Sequence, residues 1–239
     1  MLMTAILALF GAQEDATARK AVAEYRRILG ARETTESERI EAIRKLGAVR
    51  HPSVVRALVP LLTAGPENLR METAQALSAF GQVRGTAVMV APALVSADNA
   101  RRTRVRIAIL RSLVALKQVE AVPYFHKMIR DDDFLVAREA IVGLPSFGRK
   151  ESVPELIAYV RICERVVSGS VLRVPSKVAG DLSSSPEWNF SVQMDADQKQ
   201  KLRREVLLRP LLDSLQALTG KTYTTWKEWN AWSGSSWLR

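Results

Sequence analysis

Apolar residues recur along the middle of the chain in pairs of short runs, each with helical spacing. Four segments start alike: Ser53-Val54-Val55-Arg56-Ala57-Leu58, Ala87-Val88-Met89-Val90-Ala91-Pro92, Ala121-Val122-Pro123-Tyr124-Phe125 and Ser152-Val153-Pro154-Glu155-Leu156. Their valines, Val54, Val88, Val122 and Val153, lie 34, 34 and 31 residues apart. Seven residues beyond each comes a second apolar side chain: Leu61, Val95, Ile129 and Val160. Positions seven apart share one face of a helix, so each segment predicts an amphipathic helix with a buried stripe.

Another helix is predicted ahead of each. Ala42-Ile43 with Leu46, Ala76-Leu77 with Phe80, Ile109 and Leu113 with Leu116, and Ala140-Ile141 with Leu144 are apolar sets at helical spacing. Thr35-x-x-Glu38 reads as a capping box opening the first of these. Gly47 and Gly81 follow the first two sets, where a left-handed C-terminal cap is expected. Pro52, Pro123 and Pro154 sit where second helices begin, a place that suits a residue without an amide proton. No stretch sustains a period of two, so the expected fold is all-α.

Helix–turn–helix units at this period occur in several repeat families. The Trp, Leu-Gly and Tyr signature of tetratricopeptide repeats and the Thr-Pro-Leu-His of ankyrin repeats are missing. Leu46-Gly47-Ala48-Val49-Arg50-His51-Pro52-Ser53-Val54-Val55-Arg56-Ala57-Leu58-Val59-Pro60-Leu61-Leu62, and later Phe147-Gly148-Arg149-Lys150-Glu151-Ser152-Val153-Pro154-Glu155-Leu156-Ile157, resemble HEAT repeats of the short kind found in bacterial proteins and phycobilisome lyases. The resemblance implies a right-handed α-solenoid of helical hairpins over residues 14–165, with a further helix pair at 16–30. It implies a non-catalytic scaffold for protein–protein interaction. A single hairpin cannot hide its apolar side alone, and stacking makes the core continuous.

The ends read differently. Residues 1–13 carry no charge and Leu2 to Phe10 is almost entirely apolar, too short to span a bilayer. They read either as the apolar part of a secretory signal, predicting an exported, periplasmic protein, or as an N-terminal helix capping the first repeat of a cytoplasmic one. No integral membrane segment is expected elsewhere. Residues 166–194 form a Ser- and Gly-rich loop, with Val171, Leu172, Val174, Val178, Trp188 and Phe190 as its apolar anchors. Residues 195–239 predict a long helix, capped by Asp195 or Asp197 and ended by Gly220, and then a Trp-rich C-terminal cap. That tail carries Tyr223, Trp226, Trp229, Trp232 and Trp237, and Leu218-Thr219-Gly220 with Trp226-x-x-Trp229 resembles a tail common on exported bacterial HEAT-repeat proteins.

Charge and chemistry refine the function. Lys and Arg total 35 against 25 Asp and Glu, a net charge of +10 that favours acidic partners. No acidic residue lies between Asn99 and Val119, while Arg101, Arg102, Arg104, Arg106, Arg111 and Lys117 fall inside. With Val105, Ile109, Leu113 and Leu116 as the buried stripe, Arg104 and Arg111 flank it on one side and Arg106 and Lys117 on the other. These cations, with Trp226, Trp229 and Trp232 on one helix side, are the expected partner-binding residues. The partner is expected to be a protein, and nucleic acid or another polyanion along a basic groove is the alternative. His51 and His126 stand alone, Cys163 reads as a buried small hydrophobe, and Asp131-Asp132-Asp133 reads as a helix cap. No catalytic set, metal site or cofactor motif is present, and a monomer without enzymatic activity is expected.

Overall fold

The computed structural model describes residues 2–31, 33–164 and 196–236, with side chains from Gln13 to Gly234 where those are described. The apolar anchors of the 166–194 loop, Asp195 and Trp237 lie outside the described residues. Every element is helical and no strand occurs among the described residues. The chain divides into two compact units, residues 1–152 and 153–239.

The first unit opens with α1 (Leu2–Gly30), then alternates first and second helices: α2 (Glu36–Gly47) and α3 (Pro52–Leu58), α4 (Glu67–Leu77) and α5 (Thr86–Val90), α6 (Thr103–Leu116) and α7 (Val122–Met128), then α8 (Phe134–Gly143). The first helices pack in order, α2 on α4, α4 on α6 and α6 on α8, while α1 lies on α2 and α3. This is a stack of hairpins in which each pair leans on its neighbours, an all-α solenoid. Instead of a pair over 16–30, α1 runs as one helix, because Gln13 to Gly30 is rich in Ala, Arg and Glu and holds no breaker. No helix among the described residues is long and apolar enough to cross a membrane.

Second helices bury positions i, i+1, i+4 and i+8: Val54, Val55, Leu58 and Leu62; Thr86, Ala87, Val90 and Leu94; Ala121, Val122, Phe125 and Ile129; Ser152, Val153, Leu156 and Val160. This corrects the valine register. Val54 is matched by Thr86, and Val88 and Val95 face outward, 54% and 41% exposed. The phase of α5 is set by Gly85, whose φ of 77° starts the helix directly at Thr86. Thr86 fits the interior because its hydroxyl donates to the Val83 carbonyl at 2.7 Å. Pro60 and Pro92, each in a 3-10 turn ending its second helix, mark the same register.

The expected capping box is present: the Glu38 amide donates to the Thr35 hydroxyl, and the Glu38 carboxylate accepts from the Thr35 amide at 2.8 Å. That backbone donor holds the Glu38 carboxyl below the usual carboxylate range. Gly47 and Gly81 are not left-handed caps. A Cβ on Gly47 would come within 2.9 Å of Ala76 Cβ, and one on Gly81 within 3.2 Å of the Leu116 carbonyl, so both admit close approach of the next first helix.

The second unit holds α9 (Val153–Glu164), α10 (Ala196–Thr219) and α11 (Trp226–Ser236), with α9 packed against the other two. Leu207, Leu211 and Leu215 of α10 are buried, and Gly220, at φ 71°, ends it as expected.

Candidate interaction surfaces

The first-helix face is laced by ion pairs between successive repeats. Arg44 of α2 reaches Glu72 of α4 in a two-point contact, Nε to Oε2 at 3.0 Å and Nη2 to Oε1 at 2.8 Å. Arg111 of α6 makes the same contact with Glu139 of α8, at 2.9 and 3.1 Å, and this carboxylate raises the Arg111 pKa. Arg104 lies 3.8 Å from Glu67. Two of the expected binding cations, Arg104 and Arg111, therefore face solvent already paired.

Arg106 is internal, which corrects its expected place among the binding cations. Only 6% exposed, it lies beneath the turn that precedes α8, where Nη1 donates to Asp131 Oδ1 at 3.0 Å and Nη2 contacts the same carboxylate. It is the fourth residue of its helix, as Arg39 is of α2 and Arg70 of α4. Arg70 is likewise buried and fixes the turns around it, donating from Nε to the Gly65 carbonyl at 3.0 Å and from Nη1 to Asn99 Oδ1 at 2.7 Å. The Asn99 amide in turn donates to the carbonyls of Leu62 and Ala93, both at 2.9 Å. The repeated arginine at the inner edge of the stripe was the sequence signal for a structural role.

The remaining expected cations are scattered. Arg101 is exposed in the turn before α6, Arg102 is half-buried with Nε donating to the Asp98 carbonyl at 3.1 Å, and Lys117 is exposed at the far end of α6. The six cations do not form one cluster.

The side chains most capable of chemistry serve the architecture. His51 caps α3: its Nδ1 accepts from the Ser53 amide at 3.2 Å, which leaves Nε2 to donate to Asp15 Oδ1 at 2.7 Å. His126 Nε2 lies 2.8 Å from the Ser152 hydroxyl. Cys163 is buried, and desolvation pushes its thiol up to about 12, far from a reactive thiolate. Asp133 caps α8 through the amides of Leu135 and Val136, while Asp131 supports Asp133 and Arg106. Among the described residues no His, Cys, Asp or Glu group is arranged to hold a metal.

In the second unit the aromatic residues pack on one another. Trp229 is fully buried, its indole N–H donating to the Tyr223 carbonyl at 3.1 Å, with Tyr223 and Trp232 edge-on at 5.0 and 5.7 Å. This corrects its expected place among the partner-binding residues. Trp226 and Trp232 are half-buried; the Arg161 guanidinium lies 4.8 Å over the Trp226 ring, and the Trp226 amide donates to Glu164 at 2.9 Å. Trp226 thus ties α11 to α9, while Trp229 and Trp232 pack with Tyr223.

No curated protein matches the chain in sequence. Residues 27–104, which cover the end of α1, the first two hairpins and the start of α6, match the family model for HEAT repeats. That match identifies residues 27–104 as HEAT repeats, and the hairpin stack with its buried register supports reading the rest of the repeat unit in the same way.

Proposed function

We propose that the chain is a non-catalytic scaffold that binds a protein partner on the surface presented by its stacked repeats. HEAT repeats generally build protein-interaction scaffolds, and one observation carries the reading here. His51, His126, Cys163 and the Asp131–Asp133 turn are each engaged in capping, packing or inter-repeat bonding, while the repeats expose a long row of helices and turns. Photo-crosslinkers at exposed positions of the repeat unit, Arg56, Val88 and Lys127, should capture one reproducible protein in the native host. Failure of all three to capture a protein would overturn the scaffold.

Polyanion binding is a second reading, favoured by charge. Between Glu72 and Asp131 there are nine Lys and Arg but only two carboxylates, Asp98 and Glu120. It requires that duplex DNA bind at low salt and that affinity fall steeply as salt rises. The pairing of Arg104, Arg106 and Arg111 with Glu67, Asp131 and Glu139 weakens it.

A further inference from the structure

In a stack of hairpins all turns between first and second helices emerge along one edge. Here they are residues 48–51, 78–85, 117–121 and 148–152. Each carries an exposed cation: Arg50, Arg84, Lys117, and the pair Arg149-Lys150. The opposite edge differs, holding Glu67, Asp98 and Asp131 to Asp133 beside Arg101, Arg102 and Arg130.

This cationic edge is held rigid. Arg50 lies over the Phe80 ring of the next turn at 5.0 Å. Gln118 clamps the turn before it, donating to the carbonyls of Gly81 and Val83 at 3.1 and 2.7 Å and accepting from the Ala87 amide at 2.9 Å. His126 reaches Ser152 of the last turn. Neighbouring turns are thus fixed to one another, and packed helices place successive cations roughly 10 Å apart.

Lys117 adds an independent sign. It is the one non-glycine residue among those described with positive φ, at 54°, ψ 24°. The corresponding cap of the next repeat is Gly148, at φ 62°, ψ 20°, with the same bond from its amide to the carbonyl three residues back. A lysine therefore occupies a left-handed position that glycine fills without strain one repeat later. Strain kept where a simpler residue fits points to use of the side chain.

Resting on the scaffold reading, we infer that this turn edge docks an extended acidic segment of the protein partner, with carboxylates meeting the cations at about every third residue. Three extended residues span about 10 Å, the repeat pitch. Glu120 and Glu151 interrupt the row. A continuous phosphate backbone would be repelled at both, whereas a peptide can set neutral or basic side chains there. Preformed, laced turns reduce the ordering cost of such binding.

The test uses the full chain and a fluorescein-labelled 12-residue peptide with Glu at every third position, followed by fluorescence polarisation at low salt. The triple variant R84E/K117E/K150E should bind at least 10-fold more weakly, while R56E/R101E/K127E, with the same charge change, should lose less than 3-fold. Circular dichroism melts establish that both variants fold. Lys117→Gly should weaken binding several-fold while raising the melting temperature, an outcome that loss of structure cannot produce. Absence of wild-type binding, equal losses in the two triples, or tighter binding of a 12-nucleotide single strand than of the peptide would each overturn the inference. A crosslinked protein partner mapped elsewhere would sink the edge while leaving the scaffold standing.

Discussion

Single side chains show where charge becomes architecture. The Arg106–Asp131 pair is mostly out of water, and an ion left unpaired there is costly. Asp131→Ala should lower stability by about 3 kcal/mol in urea unfolding, and adding Arg106→Met should recover much of that loss. If the double variant is no more stable than the single one, the stranded guanidinium is not the cause. A second case is Glu228, which accepts from the amides of Thr224 and Thr225 at 3.0 and 2.9 Å and from the Thr225 hydroxyl at 2.9 Å. The Thr224 amide first, then the Thr225 groups, hold its carboxyl below the usual range. A lowered folded-state pKa contributes stability above the ordinary Glu value of about 4.3 and loses it as pH falls further. Glu228→Gln should therefore lower the melting temperature at pH 7, and the difference from wild type should shrink toward pH 3. Thr225-x-x-Glu228 forms the same capping motif as Thr35-x-x-Glu38, a signal in the sequence that the Trp-rich pattern around it overshadowed. Arg106 was less so: its position on the edge of a stripe is visible, but its partner is 25 residues away and only the stack brings them together.

For the elements, helical periodicity found the hairpins and misaligned their registers by one or two residues. Hydrophobicity alone selects Val88 for the interior, and in the folded chain Ala87, Val90 and Leu94 are inside instead. The start of a helix fixes which positions face inward, and Gly85 starts α5 in a way that spacing between valines does not reveal. A pair of substitutions separates the two registers. Val88→Ser should change stability by no more than about 0.5 kcal/mol, whereas Leu94→Ala should cost about 3 kcal/mol by leaving a cavity. Equal costs by thermal or urea unfolding would restore the first register. The glycines show the same limit. Gly47 looks like a helix cap in sequence, and its actual contribution, room for Ala76, depends on a neighbour 29 positions on. The Trp-rich end likewise read correctly as helical, but only packing shows that Trp229 points inward and Trp226 lies under Arg161.

Across the whole molecule, stability in the repeat unit is a chain of neighbour contacts. Helix α6 is covered on both sides, by α4 and α8, and its Ile109, Leu110 and Leu113 are fully buried. Helix α1, at one end of the stack, packs on α2 and α3 of the first hairpin. In such a stack, opening spreads from the free end and each interface adds its own share of protection. Native-state hydrogen exchange should therefore find the slowest amides in the middle of α6 and faster ones in α1. Leu113→Ala removes a side chain from the α6 core, so it should speed exchange in α4, α6 and α8 before it reaches α1. The ion pairs on the outer face contribute little to this gradient, since exposed pairs add at most about 1 kcal/mol each. If Leu113→Ala instead speeds every protected amide of the unit by one common factor, the repeats open as a single block. The stack would then be cooperative beyond nearest neighbours, and a partner docked on one turn would stabilise all of them equally.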